Sequence, residues 1–123
     1  MKSKKEDLPK QAEDGEKTIR EAKMGDMNVG YETFKKEVDL QPLLTGLPGN
    51  SCQSRHWGYV LKGGFEVKYA DHTEVTREGE VYYMAPGHVA RIFAGTELVE
   101  FSPTEEEEKM RDAIRKNASK NKY

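Results

Sequence analysis

The residues of this chain best suited to chemistry are one cysteine and two histidines. Cys52 is the only cysteine, His56 follows it by four residues, and His88 comes directly after Pro86 and Gly87. A thiolate and two imidazoles form a ligand set that favours zinc, and also iron or copper, over magnesium or manganese. Three protein ligands leave one coordination position for water or a substrate, as in catalytic zinc sites.

Each of these residues also has an ordinary structural interpretation. A free cysteine such as Cys52 often packs as a small buried hydrophobe. His56 can hydrogen-bond inside a core, and His88 can be exposed at its turn. The remaining histidine, His72, follows Asp71 at a predicted hairpin tip, and we interpret it as a turn residue and not as a ligand.

The centre of the chain is rich in short β-strand patterns bounded by glycine and proline. The runs that predict strands are 18–20, 27–31, 57–61, 65–69, 73–77, 81–84, 89–93 and 97–101. Residues 40–47 predict a buried loop or one short helical turn. Short strands at such close spacing indicate an all-β sandwich or barrel, here of six to eight antiparallel strands.

The two ends of the chain have a different composition. Residues 1–17 contain few apolar side chains and predict a disordered or loosely attached arm. Residues 102–123 predict a C-terminal helix and tail, with Ser102 as N-cap, Pro103 in the first turn and Glu105 reaching back. We interpret the acidic run 105–108 as the solvated start of that helix. The barrel is expected to occupy residues 18–101.

The stretch 52–101 resembles the cupin family. Residues 59–63 are similar to the strand that ends the first cupin motif at a glycine, here Gly63. Residues 79–88, from Gly79 to His88, are similar to the second motif. The positions of the usual metal ligands hold other residue types here, namely Asn50, Cys52, His56 and Ala90. The strings HWGYVLKG, YYMAPGH and AGTELVEFSPTEE look like those of small bacterial cupins of undefined function.

The resemblance implies a small antiparallel β-barrel, or jelly roll, with a site in its mouth. Positions 52 and 56 share one face of a strand by parity, so in a cupin Cys52, His56 and His88 can all point into the mouth. Ligands of one zinc ion would then lie within about 4 Å of one another. The nearby aromatic residues predicted to line a ligand pocket are Trp57, Tyr59 and Tyr83.

Three functions are therefore open, and the sequence does not decide whether the protein is an enzyme. The first is a cupin that binds a divalent metal, a small organic ligand or both in the barrel mouth. The second is a non-catalytic ligand-binding or sensor barrel without metal. The third is a structural module whose main role is dimerisation, and the resemblance implies a homodimer in which the strand at 27–31 pairs with another subunit.

Composition excludes several partners. The net charge is -2, with 20 basic and 22 acidic residues and no basic stripe, so we expect no binding to nucleic acid. The apolar runs are too short to span a bilayer, so we expect no membrane partner. A single cysteine excludes an intrachain disulfide, and a reduced, cytoplasmic location is expected.

Overall fold

The computed structural model describes residues 1–121, with side chains as far as residue 118. Within that range it contains ten β-strands and one long α-helix, joined by turns and short 3₁₀ helices. The strands are β1 Lys10–Glu13, β2 Lys17–Met24, β3 Met27–Phe34, β4 Val38–Asp39, β5 His56–Lys62, β6 Gly64–Lys68, β7 Thr73–Arg77, β8 Val81–Met84, β9 Val89–Ile92 and β10 Thr96–Pro103. The helix, α1, covers Thr104–Asn121.

The strands form two antiparallel sheets. The larger sheet has the order β1-β2-β3-β10-β5-β8, and the smaller has the order β4-β9-β6-β7. The buried core lies between them and consists of Phe34, Val60, Phe65, Val67, Met84, Ala90, Ile92 and Leu98. The predicted all-β antiparallel fold with a C-terminal helix is confirmed, although the strands are more numerous than the six to eight expected. Within the described residues, no helix is long and apolar enough to cross a membrane.

The turn between β5 and β6 requires glycine. Gly63 has a φ of +73°, and a Cβ atom there would lie 2.5 Å from Thr96 Oγ1. The fully buried Thr96 hydroxyl donates to the Gly64 carbonyl at 2.8 Å. This contact joins the start of β6 to the start of β10 and so holds the β5–β6 turn against β10. Strands β5 and β10 carry much of the site described below.

The N-terminal residues are more ordered than their composition predicts. Residues 10–13 form β1, which pairs with β2, and the Glu21 N–H donates to the Pro9 carbonyl at 2.9 Å. Leu8 is buried, and Arg20 Nη1 donates to its carbonyl at 3.2 Å. Backbone pairing along an existing sheet edge and one buried aliphatic side chain order a segment that has little apolar surface of its own.

Two further expectations need correction. Ser102 lies within β10 and not at a helix N-cap, and α1 begins two residues later at Thr104. The strand at 27–31 is part of β3, which is paired on both sides, with β2 and with β10. Because a strand with two neighbours has no free backbone groups, β3 cannot pair with another subunit.

Candidate metal centre

The backbone brings Cys52 and His88 together. They form an isolated antiparallel bridge in which the Cys52 N–H donates to the His88 carbonyl at 2.8 Å. The Gly87 N–H donates to the Cys52 carbonyl, also at 2.8 Å. Residues directly opposite in an antiparallel pair project side chains to the same face. Both side chains are buried, with 8% of Cys52 and 3% of His88 exposed.

His56 completes the cluster from the first position of β5. Its Nε2 lies 3.7 Å from Cys52 Sγ, and its ring meets the ring of His88 edge-on with 5.0 Å between centroids. One ligand atom from each of the three residues lies within 4.8 Å of the others. Donor atoms around one tetrahedral zinc are about 3.3–3.8 Å apart, so the widest separation has to shrink by roughly 1 Å. The cluster can hold a metal ion after that contraction.

Both imidazoles are anchored through Nδ1. His88 Nδ1 donates to the Ala85 carbonyl at 2.7 Å, which leaves the lone pair on Nε2. His56 Nδ1 lies 2.6 Å from the Ser102 hydroxyl, while its Nε2 faces the thiol. A ligand histidine in a metal site has this arrangement, with one nitrogen free for the metal and the other in a hydrogen bond that orients the ring.

Two carboxylates flank His56 on the side away from the thiol. Glu100 Oε2 and Glu107 Oε2 lie 3.6 Å and 3.7 Å from His56 Nδ1. Burial of His56 opposes its charged form, but these carboxylates and Cys52 outweigh burial and raise the pKa of His56 to about 10. Burial, followed by the charge of His56, lowers the pKa of His88 to about 4. The cluster thus contains one basic histidine and one neutral histidine.

A tyrosine holds Glu100 in position. The Tyr82 hydroxyl donates to Glu100 Oε1 at 2.7 Å. The Tyr82 ring lies over Gly58, where a Cβ atom would be 2.4 Å from ring carbon Cζ and 2.5 Å from the Val99 carbonyl. Glycine within a strand often marks such a close approach. Gly58 is therefore a signal for this contact that the sequence offered and that was not recognised. The positions of Ser102, Glu100 and Glu107 beside His56 were not predicted either.

The helix covers the loop that carries Cys52. Arg55 Nη2 pairs with Glu106 Oε2 at 2.6 Å, and the Ser54 hydroxyl donates to Glu107 Oε2 at 3.2 Å. Met110 Sδ accepts from the Gln53 N–H at 3.3 Å. The acidic start of α1 is thus partly engaged with residues 53–56, and the interpretation of the whole run as solvated was wrong for Glu106 and Glu107.

The three aromatic residues predicted to line a pocket do line one open apolar groove, but this groove lies outside the barrel mouth. Trp57, Tyr59 and Tyr83 are opposite in parity to the inward-facing His56, and their side chains are partly exposed on the outer face of the larger sheet. They do not line the barrel mouth, because successive side chains of a strand point to opposite faces. His72 lies at the tip of the β6–β7 hairpin, exposed and hydrogen-bonded to Asp71 and Glu74, as expected of a turn residue.

Comparison with known proteins identifies the fold. No protein-family model and no curated protein matches the chain. Among solved structures, an RmlC-like cupin from Shewanella frigidimarina NCIMB 400 matches with a TM-score of 0.59 and 19% identity, over 85% of this chain and 92% of that one. A protein of unknown function from Rhizobium leguminosarum bv. viciae 3841 matches with a TM-score of 0.55 and 18% identity, over 83% and 96%.

A third structure agrees with these two. KdgF from Halomonas sp. matches with a TM-score of 0.51 and 15% identity, over 80% of this chain and 89% of that one. The fold of the chain is therefore the cupin fold. Because this fold supports many unrelated activities, function has to be argued from the site.

Proposed function

We propose that this protein is a small cupin that binds one divalent transition-metal ion through Cys52, His56 and His88. The observation that carries the proposal is the orientation of the two imidazoles. Each is hydrogen-bonded through Nδ1, to Ser102 or to the Ala85 carbonyl, and so keeps Nε2 as the atom for the metal. Because the pKa of His56 is about 10, metal binding has to displace a proton from its Nε2. A histidine that served only to fill the core would not need this alignment.

The donor types favour zinc. One sulfur and two imidazole nitrogens match the borderline-soft character of zinc, and iron and copper accept the same set. Three protein ligands leave a fourth position, at which water or a small organic molecule would bind. The metal would act there as a Lewis acid, while Glu100 and Glu107 hold the proton on His56 Nδ1 and orient the ring.

A metal-free barrel that binds a ligand in its mouth is the less well supported alternative. That alternative depended on an aromatic pocket in the barrel mouth, and Trp57, Tyr59 and Tyr83 project away from it. The groups that face His56 are polar and include two carboxylates. Such surroundings suit a charged centre better than an apolar ligand.

Elemental analysis and cobalt substitution test the proposal. We expect about one zinc ion per chain after purification without chelators, and a sulfur-to-cobalt charge-transfer band when Co²⁺ replaces zinc. Cys52→Ser should remove this band, and His56→Ala and His88→Ala should each reduce zinc affinity at least tenfold. His72→Ala is the matched control, because His72 is an exposed histidine outside the cluster.

The proposal is wrong if the wild-type protein fails to bind added zinc or cobalt at micromolar concentration. It is equally wrong if His56→Ala and His88→Ala bind these metals as tightly as His72→Ala does. Circular dichroism of every variant separates loss of the ligand from loss of the fold.

A further inference from the structure

The three residues of the candidate metal centre are closed off from solvent. The exposed fractions of Cys52, His56 and His88 are 8%, 8% and 3%. A site that exchanges its metal, or a water or organic ligand at the fourth position, needs an entry path. Some element that covers the cluster therefore has to move before exchange can occur.

Helix α1 covers the cluster from one side. Glu107 Oε2 lies 3.7 Å from His56 Nδ1. Glu106 accepts a hydrogen bond from the backbone N–H of Arg55 at 3.0 Å and also pairs with the guanidinium of that residue. Both glutamates belong to the first turn of α1, so the helix begins directly against the segment that leads from Cys52 to His56.

The face of α1 that meets the rest of the protein is largely polar. Between positions 106 and 117 the residues that are not exposed follow helical spacing, and they are Glu106, Glu107, Met110, Arg111, Ala113, Ile114 and Asn117. Further ion pairs join Arg111 to Glu21 and Lys23 to Glu108. Partly exposed ion pairs contribute little stability each, so α1 is held less firmly than the strands that enclose the apolar core.

A second set of contacts fastens the far end of α1. The side-chain amide of Asn117 donates to the carbonyl of Leu43 at 2.8 Å and to the carbonyl of Thr45 at 2.9 Å. Asn117 is 9% exposed, so these hydrogen bonds are largely shielded from water. The two ends of the helix thus contact two different segments, 53–56 and 43–45, and docking of the whole helix depends on both.

We propose that α1 is a lid, and that undocking of the whole helix opens the Cys52, His56 and His88 cluster to solvent. Local opening of this kind uses the parts of a protein that have few buried apolar contacts. Salt weakens ion pairs such as the one between Arg55 and Glu106, so the lid should open more often at high ionic strength. The consequence for metal exchange rests on the proposed function, whereas the opening itself does not.

Alkylation of Cys52 by iodoacetamide measures the opening in the metal-free protein. Cys52 is the only cysteine, so mass spectrometry follows a single modification, and the reagent is uncharged. We expect Glu106→Ala and Asn117→Ala each to speed alkylation about threefold at constant pH, although they act at opposite ends of the helix. Glu105→Ala and Lys116→Ala are the matched controls, because both residues are exposed on the same helix. Wild-type alkylation should also speed up about threefold between about 0.05 M and about 1 M NaCl.

The lid is overturned if Glu106→Ala or Asn117→Ala is alkylated no faster than its control, because the helix then does not move as one body. It is also overturned if the alkylation rate rises with urea as steeply as global unfolding does. Transfer of zinc to a chelator from the loaded protein should be faster in Glu106→Ala than in Glu105→Ala. A protein that binds no zinc but shows the expected alkylation pattern would contradict the proposed function and support the lid.

Discussion

The hydroxyl of Tyr82 donates a 2.7 Å hydrogen bond to Oε1 of Glu100 across the width of β5. The other carboxylate oxygen of Glu100 lies 3.6 Å from His56 Nδ1. The tyrosine, the carboxylate and the histidine therefore form one chain of polar contacts that ends at the candidate metal centre. These contacts make the orientation of His56, on β5, depend on Tyr82, which lies on the neighbouring strand β8.

Tyr82→Phe should weaken the metal site without removing a ligand. Loss of the hydroxyl leaves Glu100 Oε1 without its donor, which we expect to cost about 1–2 kcal/mol in the free energy of unfolding. We also expect about tenfold weaker zinc affinity, measured by competition with a chromophoric chelator, because residues that support ligand histidines have effects of that size. Tyr59→Phe is the control, since Tyr59 lies on the outer face of the same sheet. Equal zinc affinity in both variants would contradict the positioning role.

Gly58→Ala should be strongly destabilising. The new Cβ atom would meet Tyr82 at 2.4 Å and the Val99 carbonyl at 2.5 Å, and the backbone contact leaves little freedom to adjust. We expect a loss of about 2–4 kcal/mol, measured by urea unfolding. Gly15→Ala, where a Cβ meets nothing within 4 Å, should be neutral or slightly stabilising. Similar unfolding midpoints for the two variants would show that the close approach at Gly58 does not exist.

Glu32 should make the stability of the protein depend on pH. Burial and the charges of Glu100 and Glu107 raise the pKa of Glu32 well above its ordinary value of 4.5. The folded state therefore keeps a proton that the unfolded chain loses, so this residue lowers stability as the pH rises from 4.5 toward the raised pKa.

Glu32→Gln should remove the loss of stability that occurs as the pH rises. We expect the variant to melt at a higher temperature than the wild type near pH 7 and at nearly the same temperature near pH 4, where the carboxyl is protonated in both states. Glu78→Gln, at an exposed turn position, should show no such difference. Thermal melts across this pH range measure the effect, and a gain for Glu32→Gln that is constant with pH would contradict the explanation.

Much of the fold was readable from local patterns in the sequence. Alternation in runs such as 65–69 and glycines such as Gly63 predict strands and turns, because period-two burial and positive φ angles are properties of a few neighbouring residues. The same local rule puts Trp57 on the face opposite to His56. It does not extend to Cys52, which lies outside β5 in an isolated bridge with His88. The N-terminal strand β1 was missed because its order comes from pairing with β2 and not from its own composition.

The sequence by itself determined the ligand types, the strand parity and the approximate positions of the elements. Only the tertiary structure decided that His88 lies opposite Cys52 and that Glu100, Ser102 and Glu107 surround His56. These contacts join residues more than 30 positions apart. They depend on which strands pair and on how α1 packs over the loop. Burial of the whole core sets both, and a pattern of a few neighbouring residues cannot predict it.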